Sequence, residues 1–423
     1  MSENQSQGMQ TNLRWNYTVH VIEGGFFMGG IAIVNATTVL PAALQQFGGP
    51  AWLIALAPVM MGAGTQFAPM FTAHWIDRLR RYMPMLMVTG VFQRLPYLLV
   101  GILLLLSAGS AEGLRIAAVA LTPLVSGLFC GISLAAWQQL VANTVPVHRR
   151  SSLFASRYMI GTFMGLFAGM LVKSTLRAHP GAGGYARLHL MAFGVLSLSY
   201  MIFAMLRETP VAPRPAHEPR HDLIDNWRSL PGLLRAHPPL ARYMVLCVTL
   251  SAVYIIAPFL ALHIRSALGK PAEYVGVLLV VQMVGGMVGN LTGGWLGDKF
   301  GGRRVLLLAQ TTLATLALAT PFLHSESLLL GVFFLFGFAL FAGHIGRSAT
   351  TLEMVPMKSR STCLAMVGMV QFLSMLGASG LSTLLKSGGG FTLNCLAVAI
   401  IAGVSIPLIL RLPAPSACSN PCV

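Results

Sequence analysis

The chain has 423 residues, of which 55% are apolar and only 9% charged, with mean hydropathy +0.71 and formal net charge +16. A soluble domain carries about 25% charged residues, so too few polar side chains are present to cover a water-facing surface; a soluble globular domain is excluded, and lipid is the solvent for most of the chain. The basic excess calls for no nucleic-acid partner, because basic residues collect in the cytoplasmic joints of membrane proteins.

A helix needs about 20 apolar residues to cross a hydrocarbon core of about 30 Å, and in lipid only internally bonded backbone is stable. Twelve such runs follow in order: 19–40, 51–73, 84–106, 116–141, 153–172 and 188–206, then 243–263, 275–296, 305–322, 328–348, 363–385 and 391–410. The polar stretch 1–11 has no basic cluster ahead of the first run, so no cleavable signal is expected and the first span stays in the mature protein. Between spans six and seven lies the one long polar segment, 207–242, with the Pro-rich "ETPVAPRPAHEPRHD". It reads as an extended linker, with a short amphipathic surface helix expected around 223–234. The expected organisation is a six-helix half over 1–206, a cytoplasmic linker over 207–242, and a second six-helix half over 243–423 ending in a short cytoplasmic tail. Joints on the side of the N-terminus hold most of the 28 Lys and Arg residues, which puts both termini in the cytoplasm.

Six cysteines form no disulfide pattern. Cys130, Cys247, Cys363 and Cys395 lie in apolar runs as small core residues. Cys418 and Cys422, in the tail, leave metal binding or lipid attachment open on a weak C-x-x-x-C spacing. The 23 methionines read as packing, and neither a cofactor nor a resident metal is expected.

The halves echo one another. "TVPVHRRSSLFA" (144–155) follows span four and "MVPMKSRSTCLA" (354–365) follows span ten, which aligns Pro146 with Pro356, Arg150 with Arg360 and Ala155 with Ala365. "WIDRLRR" (75–81) after span two parallels "WLGDKFGGRR" (295–304) after span eight. Repeats of this kind are typical of transporters, with the substrate site near the midplane.

The segment "GGWLGDKFGGRRVLL" (293–307) resembles the G-x-L-x-D-x-x-G-R-R/K signature of the major facilitator superfamily, through Gly294, Leu296, Asp298, Gly301 or Gly302, Arg303 and Arg304. The first-half copy keeps Asp77, Arg78 and Arg81 but has lost its glycines. This resemblance implies an all-α fold of twelve transmembrane helices in two pseudo-symmetric halves, a monomer in the lipid bilayer, and a cytoplasmic gate in which Asp298, Arg303 and Arg304 latch one state. By repeat symmetry it also implies the pairs Asp77 with Arg150 and Asp298 with Arg360. The fifth span lacks the G-P pair of the drug/proton antiporters and instead has Gly161, Gly165 and Gly169 at every fourth position, a close helix–helix face.

Ionisable groups inside spans are costly and mark pathways. Of the acids, only Glu23 lies clearly within a span, as a carrier of a coupling proton or as an ion-pair partner. Arg94 lies about ten residues into span three, roughly 15 Å deep, beside Pro96, and Arg157 lies about one turn into span five. One Glu neutralises one Arg, so the interior keeps positive charge and favours an anionic or carboxylate-bearing substrate, unless both guanidinium groups bond helix carbonyls or reach the interface. His344 and Arg347 share a face of span ten. Gln139, Gln282, Asn290 and Gln371 read as interhelical bonds singly and as a cavity lining together. No G-x-x-x-x-G-K-[ST] phosphate loop, metal cluster or nucleophile motif is present, which argues against ATP-driven transport or an enzyme. Two readings stay open: a secondary transporter of a small solute, with proton coupling, symport against uniport and import against export all undecided, or a membrane receptor or assembly factor that has lost transport. The short joints and the commonness of the family there point to the bacterial inner membrane.

Overall fold

The computed structural model describes residues 3–68, 72, 76, 79–106, 112–209, 232, 234, 235, 237–355 and 360–413. Among these the chain is all-helical: α1 Glu3–Ile33, α2 Val39–Gln46, α3 Ala51–Phe67, α4 Met83–Leu106, α5 Glu112–Thr144, α6 Val147–Ala178, α7 Ala182–Phe203, α8 Pro238–Leu250, α9 Val253–Ala267, α10 Tyr274–Phe300, α11 Gly302–Ala319, α12 Glu326–Met354, α13 Arg360–Gly389 and α14 Phe391–Leu410. Among the described residues, ten spans are long and apolar enough to cross a membrane, with α8 and α9 together counted as one. The long α1 and the shorter apolar α3 take the first two of the twelve span positions. Large apolar side chains point outward along these helices, among them Leu106, Phe322, Leu384 and Ile400 at 66–80% exposure, as lipid rather than water requires.

Two spans differ from the unbroken helices that their hydropathy predicts. The first, expected over 19–40, stops at Ile33 and resumes at Val39. Asn35 Oδ1 accepts from the backbone N–H and the hydroxyl of both Thr37 and Thr38, an Asx turn that competes with helical bonding. The seventh, expected over 243–263, is α8 and α9 with a break at Ser251–Ala252. Its bonds there tighten to the i→i−3 pattern, from Ser251 N to Val248 O through Ile255 N to Ala252 O. Pro258 removes another helical donor; Ser382 Oγ and Asn394 Nδ2 bond the nearby Ile255 carbonyl at 2.6 and 3.1 Å. Of this span 83% is buried, against 28–50% of the others, so broken backbone is shielded from lipid by protein.

By internal contacts the chain divides into two units. One comprises Met1–Pro50, Met60–Arg220 and Ala272–Val280, and the other Ala51–Val59, His221–Pro271 and Val281–Val423. In the first, α1 packs on α6 and α7, and α4 on α5 and α7; in the second, α11 packs on α12 and α14, and α8 on α13. The same close crossing is used in each. A Cβ on Gly127 of α5 would come within 2.3 Å of the Met61 carbonyl of α3, and one on Gly337 of α12 within 2.2 Å of the Gln282 carbonyl of α10. Backbones meet there with no room for a side chain. The small-residue face expected on α6 is used as well: Gly161 faces Met28, and Gly169 faces Val280 and the Gly276 carbonyl. The expected surface helix at 223–234 lies almost wholly outside the described residues, as do Cys418 and Cys422.

Candidate functional site

A cavity of about 210 Å³ lies within the first unit and is lined by side chains from α1, α4, α5, α6 and α7. Three residues singled out by their charge meet in its wall: Glu23, Arg94 and Arg157, with relative exposures of 5%, 7% and 6%. Arg157 Nη1 donates to Glu23 Oε2 at 2.7 Å and to the His20 carbonyl, and its guanidinium stacks 5.1 Å from the Trp137 ring centre. Room for it comes from Gly24, where a Cβ would sit 2.3 Å from Arg157 Cζ. Ser199 Oγ, from α7, bonds the Glu23 carbonyl at 3.1 Å and Oε1 at 3.3 Å. The carboxylate is thus held from two neighbouring helices, with its charge spent on Arg157.

Arg94 has no such counter-charge. Its Nε donates to the Leu196 carbonyl at 2.8 Å, and its Nη1 to the Gly90 carbonyl at 2.8 Å and to Gln93 Oε1 at 3.2 Å. Tyr200 and Phe27 flank it at 5.0 and 5.9 Å. The second amino group, Nη2, makes no hydrogen bond among the described residues. Carbonyls and rings orient a guanidinium without neutralising it. The cavity therefore keeps one net positive charge in a low-dielectric setting, where a charge-assisted bond to an anion is strongest.

Beneath this site His20 is fully buried, with Nε2 3.0 Å from Thr144 Oγ1. Thr144 already gives its hydroxyl hydrogen to the Leu140 carbonyl at 2.7 Å. His20 is therefore the donor, with the proton on Nε2 and a bare Nδ1.

The second unit has a much smaller void, about 10 Å³, lined among others by Tyr254, Gln310, His344 and Arg347. Arg347 Nη2 donates to the Leu250 carbonyl at 3.2 Å, the last carbonyl before the break in span seven. Its own carbonyl accepts from Tyr243. Of the neutral candidates, Gln371 reaches Cys247 Sγ at 3.8 Å, Gln282 is buried where α12 crosses α10, and Asn290 Nδ2 is buried without a partner. Gln139 is half-buried in α5 and does not line the larger cavity.

The glycine–arginine motif forms the joint between α10 and α11. Gly301 has φ +82°, a left-handed conformation suited to glycine. The Gly302 N–H donates to Glu353 Oε1 at 3.0 Å. Arg303 bonds the Leu412 and Leu410 carbonyls at 2.7 and 2.6 Å, closing the end of α14, and Arg304 stacks 4.3 Å from the Phe300 ring. A Cβ on Gly294 would meet open space. Asp298 is exposed and makes no ion pair among the described residues; the side chain of Arg360, its expected partner, lies outside them. Asp77 and Arg78 also lie outside, while Arg81 is exposed. Arg150 caps the end of α5 through the Val145 and Ala142 carbonyls at 3.0 and 2.8 Å.

Several contributors were not visible in the sequence. Glu353 caps α11, and Glu208, counted with the linker, caps α4 by accepting from the N–H groups of Tyr82 and Met83 at 2.6 and 3.1 Å. Acids favour helix N-termini, but only the fold says which acid reaches which helix. Ser199, Tyr200, Phe27 and Trp137 carry no charge to mark them, whereas Gln93, polar and next to Arg94, was a usable signal.

Residues 242–420 match the family model of the Major Facilitator Superfamily. No curated protein matches the chain significantly. Among solved structures, the fold is similar to that of nucleoside transporter NupG, with TM-score 0.69 and 14% identity over 96% of this chain and 100% of that one. It is similar to a D-xylose-proton symporter, with TM-score 0.70 and 14% identity over 94% and 98%. A bacterial homologue of the iron transporter ferroportin in an outward-facing state gives TM-score 0.61 and 15% identity over 94% and 98%. At these identities the likeness is one of fold. The family model thus covers the second half of the chain, and the fold of these transporters is shared over nearly its whole length.

Proposed function

We propose that this protein is a secondary active transporter that moves a small carboxylate-bearing solute across the membrane by alternating access, coupled to a proton on Glu23. The observation that supports the anion is Arg94, buried, oriented by carbonyls and rings, and in no ion pair among the described residues. Coupling follows from the Glu23–Arg157 pair. A proton on Glu23 would dissolve the ion pair and leave two uncompensated guanidinium groups at the cavity. Proton and anion then strengthen each other's binding by the same factor, which is the thermodynamic basis of symport. One protein of similar fold is named a proton symporter, so the architecture accommodates this mode.

The remaining candidates have supporting roles in this reading. Asp298, Arg303 and Arg304, with Asp77, Arg78, Arg81, Arg150 and Arg360, form the cytoplasmic latch. His344, Arg347, Gln282, Asn290 and Gln371 are the further polar groups of the solute path, while Gln139, outside the cavity, acts as an interhelical bond. The protein acts as a multi-pass monomer in the bacterial inner membrane, with both termini and the 207–242 linker in the cytoplasm and helical halves over 1–206 and 243–423. The test is uptake by proteoliposomes under an imposed pH gradient, with solutes first chosen by thermal shift. A ligand at a hundredfold excess over Kd adds about 2.7 kcal/mol of stability. Accumulation that collapses with a protonophore supports the reading; a ligand that binds with neither flux nor exchange would convert the protein into a receptor.

A further inference from the structure

Aromatic residues make up 9% of the chain but six of the sixteen residues lining the first unit's cavity: Phe27, Trp137, Phe154, Tyr158, Tyr200 and Phe203. Arg94 occupies faces of Phe27 and Tyr200, and Arg157 a face of Trp137. Phe154 leans on Trp137 at 6.0 Å with planes 60° apart, and Tyr158 is 47% exposed. Neither ring is covered by a guanidinium. Aromatic walls of this kind also suit cationic guests, but this cavity is already net positive and repels them. An aliphatic acid would satisfy Arg94 and leave the walls unmatched. Size narrows the choice further: an apolar cavity of about 150 Å³ holds one benzene ring, so the 210 Å³ here leaves room for a ring and a short acidic arm.

We infer that the solute is a small aromatic monocarboxylate, with its acid on the free amino group of Arg94 and its ring against Phe154 and Tyr158. This rests on the cavity being the solute site of the proposed transporter. The test uses the full-length protein in lipid nanodiscs and calorimetric titration with phenylacetate, cyclohexylacetate, phenethylamine and L-phenylalanine. Phenylacetate should bind roughly two- to tenfold tighter than the saturated analogue, the range of an aromatic pair beyond its buried area, and phenethylamine should not bind. Arg94→Gln should weaken phenylacetate at least about tenfold, as loss of a hydrogen bond to a charged group does, with partial recovery in Arg94→Lys. Phe154→Leu should erase the preference for the unsaturated ring; this arm decides the matter if Arg94→Gln fails to fold.

Equal affinity for the two acids, tighter binding of the amine or the zwitterion, or an unchanged Kd in well-folded Arg94→Gln would each overturn the inference. Phenylacetate binding with this pattern but no flux in liposomes upholds the ligand class and sinks the transport reading. Flux of another solute with no aromatic-acid binding does the reverse.

Discussion

Glu23 and Arg157 are 134 residues apart in sequence and 2.7 Å apart in the fold. Glu23→Gln keeps one oxygen to accept from Arg157, turns the other into an amide donor beside Ser199, and can carry no proton. It should abolish pH-driven accumulation while sparing solute counterflow, and uphill uptake equal to wild type would remove Glu23 from coupling. The sign of the pH effect follows from the same pair. With coupling through this pair, anion affinity in the wild type should rise as pH falls, and should stay flat in Glu23→Gln; titrations at a series of pH values separate the two. Gly24→Ala adds one methyl group 2.3 Å from Arg157 Cζ. The flexible guanidinium must yield, so the ion pair suffers more than the fold, with about 1–3 kcal/mol lost in thermal unfolding and pH dependence weakened toward that of Glu23→Gln. At this scale the sequence told half the story. Hydropathy marked Glu23, Arg94 and Arg157 as charges in lipid-facing runs, but which Arg would take the carboxylate depends on a slot at Gly24 that one glycine among 44 does not announce.

Among the elements, the helix count and order could be read from apolar runs, because lipid leaves the backbone little choice. The interruptions at 34–38 and 251–252 could not, since a hydropathy window averages over Asn35, Ser251 and Pro258 although each is a local breaker. The tight crossings belong to the same level. Gly337→Ala drives a methyl group into the Gln282 carbonyl, whereas Gly331→Ala on the same helix meets nothing within 4 Å. The first should cost roughly 1–3 kcal/mol or more. The second should be neutral or slightly stabilising, as alanine is the better helix former. Thermal melts of the two variants compare packing with propensity on one helix, and equal melting temperatures would mean that α10 and α12 relax apart freely.

Across the whole molecule the repeat is only partly symmetric. Both halves use a glycine where their second and fourth helices cross, and both cap their third helix with a carboxylate, yet that carboxylate comes after the sixth helix in one half and from the fourth in the other. The two halves, which echo one another in "TVPVHRRSSLFA" and "MVPMKSRSTCLA", thus share the crossing and the capped third helix but not the position of the acid that makes the cap. Every ionisable group lining the larger cavity comes from residues 23–200. This has a consequence for how such a protein changes its diet. Under the proposed function, ligand preference is set by the first half of the chain, so mutational libraries confined to that half should yield variants with altered selectivity. Replacing the second half with that of a related protein should alter speed while keeping the preferred solute, and growth selection on alternative carbon sources would tell the two halves apart.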